Sequence, residues 1–234
     1  MRQDRSDEQM RPVTIQRGFT EMTPGSVLIG MGKTRVLCTV SFDEDVPPWM
    51  RKTGKGWVTA EYAMLPGSGM ERISRRSVSG GRTKEIQRLI GRSLRAAVDM
   101  EAMPELTARI DCDVLQADGG TRTASITGAW IALADAFDRR IAEGKLEKSP
   151  IVDHIAAISV GLSEGRALLD LDYEEDVSVD VDCNIVMTGS GDIVEVQGTA
   201  ERQTFTRAGL DAMLDAAASG IGELVKIQAD SRTL

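Results

Sequence analysis

Two segments in which paired glycines run directly into an arginine-bearing helical pattern constrain this chain more than any other feature. They are GGRTKEIQRLIGRSLR at residues 80–95 and QADGGTRTASITG at residues 116–128. Each reads as a glycine turn opening a helix. The first turn of a helix leaves backbone N–H groups without partners and carries about +0.5 of an elementary charge, so an anion such as phosphate is its natural guest. Arg82 and Arg122 stand at these two starts and add forked donors that match phosphate oxygens in pairs. In the second segment Gly119 and Gly120 let the backbone approach an anion, and Thr121, Arg122 and Thr123 supply donors at the same place. For either segment alone an ordinary helix cap is the competing reading; two such starts on neighbouring helices favour a shared phosphate site.

A third segment, LDLDYEEDVSVDVD at residues 169–182, holds seven carboxylates and no Lys or Arg. If it is a regular strand, Asp176, Ser178, Asp180 and Asp182 share one face, and Glu174 and Glu175 fall in a solvated turn. Asp182 precedes the apolar run CNIVM, and a carboxylate so close to a core pairs, binds a metal or shifts its pKa. Mg²⁺ suits such a place because it takes a couple of carboxylates, keeps several waters and bridges to substrate oxygens. A phosphate pocket beside a divalent metal implies phosphoryl transfer.

The chain of 234 residues can bury a sizeable core without staples, and 41% hydrophobic with 27% charged residues is ordinary for a globular protein. No apolar run approaches the ~20 residues that span a bilayer, and the start MRQDRSDEQMRP is too polar for a secretory signal, which places the chain in the cytoplasm. Cys38, Cys112 and Cys183 each sit singly in strand-like stretches without CxxC spacing and read as buried, reduced thiols.

The net charge of −8 argues against a protein that coats nucleic acid indiscriminately. Between residues 67 and 95, however, eight basic residues face two acids, so this stretch is +6 and the rest of the chain −14. Arg72, Arg75 and Arg76, in a Gly/Ser-rich loop, and Arg88, Arg92 and Arg95, on one helical stripe, are the candidate RNA contacts; a solvated or intersubunit face is the alternative for the stripe. With 4% aromatics, contacts to RNA would rest on phosphates more than on bases.

Along the chain, SVLIGMGKTRVLCTVSFD reads as a hairpin about Gly32-Lys33, and GWVTAEYAML as a following strand. Apolar residues at 86, 89, 90, 94, 97 and 98 predict a helix over 82–100. ARIDCDVLQAD predicts a strand, 121–139 a helix rich in Ala and Gly, and the stretch up to Pro150 a short helix and loop. Strands follow in HIAAISVGLSEGRALLDLD and VDVDCNIVMTGSGDIVEVQGT, the latter turning at 189–191, and a last helix covers 206–228. Hairpin, strand and helix recur in both halves without a linker, which predicts one domain over 1–234 of mixed α/β (α+β) class. Gly32-Lys33-Thr34 is no nucleotide loop, since Val27 stands where a P-loop needs Gly and a strand follows the Thr. The single histidine, His154, excludes paired-histidine metal sites.

GWVTAEYAMLP, GGRTKEIQRLIGRSLRA, IDCDVLQADGGTRTASITGA and VDCNIVMTGSGDIVEVQGTAE together resemble the ribonuclease PH family of phosphate-dependent 3′→5′ exoribonucleases, over nearly the whole chain from Arg11-Pro12 onward. The resemblance implies two βαβα-like halves with mixed sheets packed against helices, and a homohexamer built as a trimer of dimers. It also implies trimming of tRNA precursors, with rRNA as a further substrate. It maps the phosphate site onto Arg82, Gly120, Thr121 and Arg122, and the catalytic and Mg²⁺-binding carboxylates onto Asp176 and Asp182. In the implied reaction inorganic phosphate attacks the terminal phosphodiester and releases a nucleoside 5′-diphosphate; the reverse adds nucleotides. The chain departs from the family pattern at Asp4-Arg5, which lacks an intervening glycine, at Gly67, where an arginine is expected, in a shortened basic loop and in a brief C-terminal tail. A catalytically silent RNA-binding ring subunit is the alternative, but it has no chemical need for Arg82, Thr121, Arg122, Asp176 and Asp182 together.

Overall fold

A computed structural model describes residues 2, 5–76 and 80–233. Of the positions singled out above, Asp4 and the loop residues 77–79 lie outside these. The first sheet contains β1 (Val13–Arg17), β2 (Gly25–Met31), β3 (Thr34–Asp43), β4 (Trp57–Met64) and β5 (Thr107–Gln116) in the order β1-β2-β3-β5-β4. The expected hairpin is present, with Met31 opposite Thr34 and Gly32 at φ +57° in the turn. β4 does not extend that hairpin. It runs parallel to β5 at the sheet edge, because α1 (Gly81–Arg95) carries the chain across between them.

α1 ends at Arg95, five residues earlier than the apolar spacing suggested. Ala97 and Val98 are buried beyond its end, where Val98 bridges to Ile151, and a single 3₁₀ turn follows at Met100–Ala102. α1 is two-faced: Ile86, Leu89, Ile90 and Leu94 point inward and it packs on β4. α2 (Thr121–Ala142) is buried nearly all round, lying against β2 and β3 on one side and β6 on another. Its small residues permit that approach, since a Cβ on Gly128 would stand 2.7 Å from the Ile29 side chain. The expected short helix before Pro150 is absent; a turn at residues 143–144 leads into an irregular stretch up to Pro150.

The second sheet has the order β7-β6-β8-β9, from β6 (Ile155–Ser163), β7 (Arg166–Leu169), β8 (Val181–Thr188) and β9 (Ile193–Ala200). α3 (Tyr173–Ser178) intervenes between β7 and β8, and α4 (Arg207–Thr233) covers β6 and β7 and outruns its expected end. Gln228 of α4 is fully buried and donates to the carbonyls of Thr127 at 3.0 Å and Ile155 at 2.8 Å, tying α4 to α2 and β6. The mixed α+β class with two helix-packed sheets is as expected. The three cysteines are buried free thiols, and burial pushes Cys183 up to about 12. No described helix is long and apolar enough to cross a membrane.

Candidate active site

The acidic segment departs most from expectation. Residues 173–178 are helical, so Asp176 and Asp182 do not share a strand face: Asp176 sits on α3 and Asp182 on β8. The cause is local. Asp172 caps the helix by accepting from the Glu175 N–H at 2.9 Å, while Glu175 reaches back to the Asp172 N–H at 3.1 Å, and the positive N-terminal end of the helix favours the acids of its first turn. Glu175 is no solvated turn residue, because Arg2 and Arg5 hold its carboxylate. Asp180 turns to the Glu164 N–H at 3.1 Å.

Asp176 and Asp182 nevertheless converge, within hydrogen-bonding reach of each other when one carries a proton. Burial raises Asp176 above its ordinary value even though Arg122 and Arg82 attract its charge. Burial and the neighbouring Asp176 push Asp182 up to about 6 against the pull of Arg122. Glu201, which the sequence reading missed, raises both. The Oδ1 atom of Asp182 is buried without a hydrogen-bond partner. Two adjoining carboxylates with an orphaned oxygen are the donor set that Mg²⁺ accepts when substrate oxygens and water complete its shell. Among the described residues, no three His, Cys, Asp or Glu side chains form a metal-binding group.

The second glycine turn has the form its sequence promised. Gly119 and Gly120 are left-handed, at φ +73° and +63°, and Gly120 is the N-cap of α2 with no side chain closing the cap. The first differs: Gly80 is extended at φ −69°, but it too leaves its helix without a side-chain cap. Arg82 is exposed at the start of α1. Arg122 is mostly covered, donating to Gln197 Oε1 of β9 at 2.6 Å and lying 4.0 Å from Glu85. The two starts meet around Tyr62, whose hydroxyl is 2.9 Å from Thr121 Oγ1 and whose ionisation both Arg82 and Arg122 influence. Arg82, Thr121, Arg122, Asp176 and Asp182 are thus drawn to one place, with Tyr62 and Gln197 as supports that lie within the quoted motifs but were not singled out as site residues.

The candidate RNA contacts divide. Arg72, Arg75 and Arg76 are exposed in the basic loop. Arg88 faces a groove of about 1040 Å³ lined also by Trp49, Trp57 and Arg109. Arg92 is ion-paired with Glu195 of β9, and Arg95 donates to the Val58 carbonyl at 2.9 Å with its guanidinium 4.5 Å over Trp57. The helical stripe is therefore partly engaged within the fold. His154 lies stacked on Trp130 with ring centroids 4.2 Å apart, well integrated in packing.

The profile of the 3′ exoribonuclease family, domain 1, matches residues 9–137, and that of domain 2 matches residues 153–220. The chain belongs to this family. It is 58% identical over 227 residues to ribonuclease PH of Corynebacterium efficiens, an alignment spanning 96% of this chain and 93% of that protein. In three dimensions it resembles the crystal structure of rice (Oryza sativa) Rrp46, with TM-score 0.80 and 17% identity over 99% of each chain. It also resembles a chain of the Archaeoglobus fulgidus exosome with RNA bound to the active site, with TM-score 0.77 and 20% identity over 94% of this chain and 89% of that one. At these identities the structural likenesses speak to the fold alone.

Proposed function

We propose that this chain is a phosphate-dependent 3′→5′ exoribonuclease that trims tRNA precursors, and rRNA precursors as a further substrate, releasing nucleoside 5′-diphosphates. One observation carries the reading: two uncapped helix starts bearing Arg82 and Arg122 converge on the paired carboxylates Asp176 and Asp182. The 58% identity to a ribonuclease PH supports it.

In the mechanism, the N–H groups at Gly120 and Thr121 with the guanidinium groups of Arg82 and Arg122 hold inorganic phosphate as nucleophile. Its oxygen bonds to the terminal phosphorus of the RNA, the bond from that phosphorus to the preceding 3′ oxygen breaks, and the released pieces are a nucleoside 5′-diphosphate and a shortened 3′-hydroxyl end. One of the two aspartates gives the leaving 3′ oxygen its proton. Asp176 and Asp182 would hold Mg²⁺, which when bound offsets the charge gathering on the transferring group. Because every step reverses, the site also adds nucleotides from diphosphates.

Six copies arranged as a trimer of dimers would repeat the +6 segment of residues 67–95 around an axis, giving a structured RNA several weak phosphate contacts at once. We read residues 1–234 as one domain, since a continuous apolar core runs through both sheets. The buried unpaired thiols suit a reducing cytoplasm. The test is incubation of a 3′-tailed RNA with and without phosphate. Trimming in phosphate alone supports the reading; nucleoside monophosphates released equally without phosphate make the protein a hydrolase, and no trimming in either makes it a silent RNA-binding subunit.

A further inference from the structure

The amino-terminal segment lies between the two halves of the candidate site. Arg11 is 7% exposed and its partner Asp170 fully buried. The Arg11 backbone N–H and Nε donate to Asp170 Oδ2 at 2.8 and 2.9 Å, and Nη2 donates to Oδ1 at 2.7 Å. Its remaining arm, Nη1, donates to the Asp118 carbonyl. Asp118 opens the Gly119-Gly120 turn, and Asp170, left-handed at φ +56°, opens the passage to α3. One planar guanidinium thus bonds to the phosphate-side turn and to the approach to Asp176.

The surrounding contacts extend this link. Thr34 Oγ1 accepts from the Asp118 N–H at 2.9 Å and donates to the Gly119 carbonyl at 2.6 Å, pinning the same turn from β3. On the acidic side Arg2 Nε meets Glu175 Oε1 at 2.5 Å, and Arg5 Nη2 meets Oε2 at 2.7 Å, one residue from Asp176. A buried ion pair kept only for stability has little advantage over apolar residues of equal volume. What apolar residues cannot do is bond a carbonyl and a carboxylate at once in a fixed plane.

We propose that Arg11 is a positioning residue for phosphorolysis, setting the separation between the phosphate-holding turn and the carboxylate-bearing helix, with Thr34 and Arg5 as the supports of its two arms. This rests on the phosphorolytic reading above.

Arg11→Lys keeps the charge and loses the fork. Displacements on the order of an ångström can cost ~100-fold, so with a short single-stranded RNA the KM for phosphate should rise and kcat should fall, each by about tenfold or more. Binding of that RNA without phosphate should stay within about twofold, because the interaction lost acts on the nucleophile and the reacting centre. A fall in kcat alone, with the phosphate KM unchanged, is what a merely structural bond gives through a smaller active fraction, and it overturns the proposal. If circular dichroism shows Arg11→Lys unfolded, Thr34→Val reads the phosphate-side arm alone. Thr34→Val should raise the phosphate KM with kcat little changed; a phosphate KM equal to that of the wild type overturns the proposal. A wild-type enzyme that ignores phosphate defeats the phosphorolytic reading itself, whereas a phosphate-dependent wild type whose Arg11→Lys variant keeps its phosphate KM defeats the positioning role alone.

Discussion

Arg122, in the first turn of α2, donates to the Gln197 side chain of β9 at 2.6 Å, so a cation from one half of the molecule is aimed by the sheet of the other. Gln197 in turn donates to Glu85 of α1, which ties the two phosphate-side helices through one amide. Arg122→Ala and Arg82→Ala should each cost about 2–4 kcal/mol of transition-state stabilisation, by analogy with the loss of an oxyanion donor. Gln197→Ala, which leaves Arg122 in place but unaimed, should cost about 0.5–1.5 kcal/mol, the worth of an ordinary hydrogen bond. Initial rates against phosphate concentration separate these effects; equal rates for Arg122→Ala and wild type would remove that arginine from the site.

Asp182→Asn should abolish turnover and stabilise the metal-free fold. The carboxyl of Asp182 is held up to about 6 in the fold, above its unfolded value, so the folded state resists its ionisation. That cost is present in full above pH 6 and fades as pH falls from 6 toward 4. Allowing for partial exposure, the amide should add about 1–2 kcal/mol at pH 7 in chelator, with the difference gone near pH 4. Mg²⁺ should narrow the gap by stabilising the wild type alone. Denaturant titrations at the two pH values check this, and an Asp182→Asn variant less stable than wild type at pH 7 in chelator would contradict it.

The site was more legible in the sequence than the arrangement that carries it. The GGTRT segment announced its helix start because left-handed glycines and an uncapped N-terminus are local properties. The acidic segment misled because alternating Asp and Val imitates a strand; the capping signal, Asp172 followed three residues later by Glu175, was present and outweighed the alternation. Tyr62, Gln197 and Glu201 come from strands or turns distant in sequence and meet the site only through sheet order, which no local spacing reveals. Arg95 looked free on a helical wheel because the wheel cannot show that Trp57 of β4 lies against it.

Gly119→Ala should be among the most damaging single changes. At φ +73° a side chain is strained, and its Cβ would stand 2.5 Å from the Leu171 carbonyl oxygen, on the passage to α3. Left-handed strain and overpacking together should cost about 2–4 kcal/mol of stability. Thermal unfolding measures it; a loss under half a kcal/mol would show that the turn adapts.

Charge reversal at Arg75 and Arg76, in the exposed loop, should weaken processing of structured tRNA precursors more than phosphorolysis of short single strands, because the reacting centre needs only the terminal nucleotides. Sedimentation first establishes whether the variant keeps the oligomeric state of the wild type. Equal loss on both substrates would assign the loop to the reaction or to folding and not to RNA grip.

If phosphate held by Arg82 and Arg122 is the nucleophile, the fate of its atoms reveals it. With inorganic phosphate labelled by ¹⁸O at all its oxygens and a 3′-tailed RNA, mass spectrometry should find the label in the terminal phosphate of the released nucleoside 5′-diphosphates, at a level that falls in step with activity in Arg122→Ala. Nucleoside monophosphates carrying an oxygen from the solvent, with no labelled diphosphate, would make water the nucleophile and exclude phosphorolysis.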